Sequence, residues 1–119
     1  MYTEKQARAK MQEYIDYMNN SFFWNYDWKP GIIIYDNLTR VEEFGWIYFW
    51  QVQEVREDLS NVISGNGPIL IEKETLDMYK MMTGLTVEEN IKKYLKCKND
   101  LAKLEKDEDG NFDIINIDN

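Results

Sequence analysis

Phe44-Gly45-Trp46-Ile47-Tyr48-Phe49-Trp50 is the stretch whose reading decides the fold. Extended chain sends successive side chains to opposite faces. In a strand expected from about Val41 to Gln53, Phe44, Trp46, Tyr48 and Trp50 therefore point one way, and Gly45, Ile47, Phe49 and Gln51 the other. A strand that is apolar on both faces belongs in the middle of a sheet, covered on both sides. Helices can cover one face. The other needs the aromatic segment near residue 25, the C-terminal tail or a partner.

Downstream lies Ser64-Gly65-Asn66-Gly67-Pro68-Ile69-Leu70-Ile71. Two glycines flanking an asparagine permit unusual backbone angles, and the proline then fixes an extended start to the next strand. Such a turn can cradle a phosphate, but the lysine and following helix of a P-loop are missing. The turn reads as a conformational device, with Gly65, Gly67 and Pro68 architectural. Ile69 to Lys73 and Met78 to Met82 then form a hairpin around the turn Glu74 to Asp77.

Helices flank this core. Thr3 to about Asn20 carries Ala7, Met11, Tyr14, Ile15 and Met18 on one face, and Thr3 with Gln6 has the form of a capping box. Thr86-Val87-Glu88-Glu89 is a second capping box, opening a helix with a stripe through Val87, Ile91, Tyr94, Leu95, Cys97 or Lys98, and Leu101. Between the first helix and the core, Ile32 to Tyr35 reads as a buried strand, Asp36 to Thr39 as a turn, and Glu54 to Asn61 as a charged loop or short helical turn. The expected fold is α+β, an antiparallel sheet of about four strands flanked by an N-terminal and a C-terminal helix. A single domain spans residues 1–106, and residues 107–119 form an acidic tail or an edge strand.

Composition narrows the chemistry. Histidine is absent, which removes the commonest general base and the commonest metal ligand. The single cysteine, Cys97, forms no intramolecular disulfide framework and reads as an inert thiol. No catalytic residue, cofactor or metal site is expected. No apolar run reaches the roughly 18 residues a membrane helix needs, and MYTEKQARAK lacks the apolar core of a signal peptide. The expectation is a cytoplasmic protein that engages no membrane.

The net charge is −8, and its distribution is uneven: Lys92 to Lys106 is locally +4, leaving −12 elsewhere. An acidic body repels nucleic acid and attracts basic partners, though acidity also keeps an aromatic-rich chain in solution. Phe22-Phe23-Trp24-Asn25-Tyr26-Asp27-Trp28 packs on the sheet or forms a contact patch, since tyrosine and tryptophan are enriched at interface cores. Candidate partner-binding residues are Trp24, Tyr26, Asp27 and Trp28, with Glu42 and Glu43 on the adjoining strands. Trp46 and Gly45 read as scaffold.

The ordered motifs FGWIYFWQ, ISGNGPILIEK and MTGLTVEENIKKY resemble the immunity protein 35 family, also called the YrhB domain family. Its pattern has an N-terminal helix, a strand with a Phe-Gly-Trp core, a Gly-Asn-x-Pro turn, an aliphatic strand and a threonine near the start of the last helix. The matching positions are Phe44-Gly45-Trp46, Gly65-Asn66-Gly67-Pro68, Ile69-Leu70-Ile71 and Thr83, within residues 3–98. One departure lies in the last hairpin, where the family favours glycine after threonine and Leu76 follows Thr75. The aromatic segment and acidic tail also fall outside the pattern.

The resemblance implies a non-enzymatic, antitoxin-like role in bacterial polymorphic toxin systems. The partner would be a cognate protein toxin, which the acidic charge suggests is basic. It also leaves room for a small chaperone-like protein that holds clients on an aromatic face. A homodimer through an uncovered aromatic face is compatible with either. A third reading, a small-ligand pocket or enzyme using Trp46, Tyr48 and a carboxylate such as Glu72, has no nucleophile–base pair to support it.

Overall fold

A computed structural model describes residues 1–21, 31–64, 66–97 and the strand 112–115. Helix α1 (Glu4–Ser21) starts where the sequence places it. The Thr3 amide donates to Gln6 Oε1 at 2.8 Å, and the Gln6 amide donates back to Thr3 Oγ1 at 3.3 Å. This reciprocal pair satisfies amides that the first helical turn leaves without partners. Ala7, Met11, Ile15 and Met18 are buried along one side of the helix.

Strand β1 (Ile32–Ile34) follows, then a 3-10 turn (Asp36–Leu38), β2 (Arg40–Glu42), β3 (Gly45–Tyr48) and β4 (Trp50–Val52). The long strand expected from Val41 to Gln53 is therefore three short ones. A turn at residues 43 and 44 reverses the chain, and a break at Phe49 separates β3 from β4. Because of this reversal, Phe44 packs with Ile47 and not with Trp46 and Tyr48 as the alternation predicts. Strand β1 is half-buried: Ile32 and Ile34 are buried while Ile33 is exposed.

Strands β5 (Ile69–Glu72), β6 (Met78–Met81) and β7 (Phe112–Ile115) complete two antiparallel sheets. The larger has the order β2-β3-β5-β6-β7, and the smaller pairs β1 with β4. Trp46 lies opposite Ile71 and Ile47 opposite Leu70, so the two most apolar strands share the centre of the larger sheet. All four residues of each are buried.

The sheet carries a helix on each face. On one side, α1 packs on Ile32, Ile34, Trp46, Tyr48, Trp50, Ile69 and Ile71. On the other, helix α2 (Val87–Cys97) places Val87, Ile91 and Tyr94 over Ile47, Leu70, Tyr79 and Met81. On the second face, where the sequence left the cover open, α2 supplies it for Ile47, Leu70, Tyr79 and Met81. Leu95, assigned to the buried stripe from its spacing, is 45 % exposed. Asn90 is the buried polar residue at this junction. Its side chain donates to the Met82 carbonyl at 2.9 Å and accepts from the Met82 amide at 3.2 Å, tying α2 to the end of β6.

Close backbone approach fixes two glycines. A Cβ on Gly45 would overlap the Ile71 carbonyl oxygen, and one on Gly67 would overlap the Met81 carbonyl oxygen. The adjoining turn is held by its side chains: Asn66 Nδ2 donates to the Trp50 carbonyl at 2.7 Å, and Trp50 Nε1 donates to the Gly67 carbonyl at 3.3 Å. This is the conformational role expected at Gly67, whereas Gly65 lies outside the described residues. Among the described residues, no helix is long and apolar enough to cross a membrane.

Candidate partner-binding groove

The β5–β6 turn, the turn at residues 43 and 44, and one side of α2 line a groove of about 820 Å³. Phe44, Ile91, Tyr94 and Leu95 give it an apolar wall. Glu42, Glu43, Glu72 and Glu74 surround this wall, with Lys73 and Thr75 beside them. Among the described residues that line the groove, four carboxylates stand against one lysine, which makes this lining acidic.

Backbone geometry explains why these groups meet. Gly45 lies directly opposite Glu72 across β3 and β5. The Lys73 amide donates to the Phe44 carbonyl at 3.0 Å, closing the junction between the two turns. Glu72 sits at the end of β5 on the α2 side of the sheet, only 7 % exposed. Tyr94 Oη donates to its Oε1 at 2.7 Å, and Thr75 Oγ1 donates to its Oε2 at 2.9 Å. One hydroxyl on each oxygen fixes the plane of the carboxylate. Burial, then the hydrogen bond to Glu72, push the Tyr94 phenol well above the usual tyrosine range. The Phe44 ring lies 4.6 Å from that of Tyr94, centroid to centroid, so the wall is an aromatic pair.

The hairpin turn that brings Thr75 to Glu72 is itself unusual. Leu76 adopts φ = +61°, a conformation that costs an ordinary L-residue but not glycine. Its amide donates to the Glu72 carbonyl at 2.8 Å, while the Asp77 amide donates to Thr75 Oγ1 at 3.0 Å. Position 76 thus has a backbone that glycine would favour. Leu76 packs against the α1-side core, an apolar contact that helps offset the cost.

Two of the six candidate contact residues, Glu42 and Glu43, line the groove. Glu42 Oε1 is 3.0 Å from Arg40 Nη2, whereas Glu43 is exposed at the rim. Arg40 Nη1 also holds Glu88 at 2.6 Å, and this hydrogen bond keeps the Glu88 carboxyl below its usual range. Trp24, Tyr26, Asp27 and Trp28 lie outside the described residues.

The trio Trp46, Tyr48 and Glu72 does not assemble. Trp46 and Tyr48 face α1, where the Tyr48 hydroxyl donates to Glu4 Oε1 at 3.4 Å, and Glu72 faces α2. The sheet itself separates them. Tyr94, Thr75 and Leu95 were missed as groove residues. Tyr94 has the spacing of a core residue, and neither Thr75 nor Leu95 is distinguished by its type. The one available signal was Leu95, an apolar residue adjoining a stripe that Ile91 and Tyr94 already fill.

Among the described residues, no group of three or more carboxylates or thiols converges closely enough to hold a metal ion. Compared with known family models, curated proteins and solved structures, the chain matches none.

Proposed function

We propose that this chain is a non-enzymatic immunity protein of a bacterial polymorphic toxin system, which binds a cognate toxin in the cytoplasm and blocks it. The acidic, aromatic-walled groove is the observation that carries this reading. An apolar anchoring area ringed mainly by negative charge is the anatomy of a specific protein-binding site, and the ring favours a partner of opposite charge. The motifs behind the family resemblance also build this place: Phe44 lines the groove and Gly45 opposes Glu72.

A bounded groove favours one partner over broad client holding. Four aromatic side chains of the sheet, Trp46, Tyr48, Trp50 and Tyr79, are buried in the chain's own core. Co-expression with the effector-like gene beside its own, followed by affinity capture and a growth assay, tests the proposal. A stable complex that restores growth is the expected result. A neighbour that is demonstrably toxic, uncaptured and unrelieved overturns it.

A further inference from the structure

We infer that the groove receives an arginine side chain of its protein partner, with the guanidinium on the Glu72 carboxylate and the aliphatic stem along Leu95 and Ile91. That the partner is a toxin rests on the proposed function; the arginine chemistry rests on the groove alone. Glu72 is more than nine-tenths buried, and among the described residues its side chain is held by neutral hydroxyls without a cation. Burying a carboxylate without a counter-charge is costly, and a cation supplied from outside relieves the cost.

Three features select arginine. Each carboxylate oxygen already accepts one hydroxyl and keeps further acceptor capacity, so its plane is set before binding. A planar guanidinium fork matches an oriented carboxylate better than a lysine ammonium does. Half-exposed Leu95 and partly buried Ile91, beside the Phe44–Tyr94 ring pair, offer an apolar path for a stem whose charged head lies deeper. Glu43 and Glu74 at the rim would draw the cationic side chain in.

The test titrates the isotope-labelled full chain with three capped glycine-X-glycine peptides, in which X is arginine, lysine or citrulline, and follows amide resonances by NMR. Saturable shifts at Glu72, Ile91, Tyr94 and Leu95 are expected for the arginine peptide, weaker ones for lysine and none for the uncharged citrulline. Glu72→Gln should weaken the arginine peptide by about tenfold or more, the scale of a charge-assisted hydrogen-bond pair. Because Glu72 is buried, Leu95→Ala provides a second variant at a half-exposed position, expected to weaken binding about threefold through lost stem contact.

Equal shifts with citrulline, undiminished binding to Glu72→Gln, or no saturable shift at all would overturn the inference. The two proposals fail separately. Growth rescue without arginine binding leaves immunity standing and removes the arginine site. Arginine binding beside an uninhibited toxin does the reverse.

Discussion

Gly45→Ala should be among the most damaging single-methyl changes in this protein. Gly45 begins β3, the strand between β2 and β5, and adopts φ = +156°. An added Cβ would overlap the Ile71 carbonyl oxygen while lying 3.0 Å from Ile71 C and 3.1 Å from Glu72 Cα. Carbon atoms pack best at about 3.5–4.0 Å, so β3 and β5 would have to separate by roughly 1 Å at their tightest point. Overpacking costs about 1–3 kcal/mol, and the backbone angle adds about 1–2 kcal/mol for an L-residue. A total of roughly 2–5 kcal/mol is a large fraction of the about 5–15 kcal/mol that stabilises a typical domain. At this chain length it corresponds to a fall in melting temperature of about 6–25 °C, read by circular dichroism. Gly84→Ala is the control, since its Cβ would meet nothing nearer than Met82 Cε at 3.9 Å. A Gly45→Ala protein that melts within about 2 °C of the parent would refute the β3–β5 register and the placement of Glu72 that depends on it.

Asn90→Ala should cost about 2–3 kcal/mol in urea unfolding, because it leaves the Met82 amide and carbonyl without the partners that Asn90 supplies. At position 76 the usual order of alanine over glycine should invert. Leu76→Gly should be more stable than Leu76→Ala by about 1 kcal/mol, since both lose the side chain but only glycine is relaxed at φ = +61°. Alkaline pH should unfold the protein through its buried phenols. Burial raises the folded-state pKa of both Tyr48 and Tyr94 above the usual tyrosine value near 10. Their contribution is therefore complete below about pH 10 and is lost as pH rises, at about 1.4 kcal/mol per pH unit for each phenol kept neutral. Urea midpoints measured across that range should fall steeply, and Tyr94→Phe should reduce the slope.

Much of the fold was legible in the sequence because its signals are local. Both capping boxes name their helix starts, and reciprocal side-chain bonds make each one. The β5–β6 hairpin follows from two apolar runs around a polar turn. What was not legible depended on the third dimension. The aromatic-rich run from Phe44 to Trp50 hides the reversal at residues 43 and 44, because neither Glu43 nor Phe44 is a turn-forming type. That reversal sends Phe44 to the opposite side of the sheet from Trp46 and helps open the groove. Glu42 and Glu43 were found from charge and position. Their companions come from β5, the following turn and α2, separated in sequence and joined only by strand pairing. Asn90 looks like an ordinary polar residue of an exposed helix, and its burial becomes clear only where α2 crosses the end of β6.

The most direct measurement is the residual activity of a candidate toxin, purified after it has been shown to arrest growth, titrated with this protein and with its Glu72→Gln variant. Stoichiometric loss of toxin activity with the parent protein, shifted to higher concentration by Glu72→Gln, is the predicted result. A toxin that stays fully active in excess parent protein would contradict the immunity function.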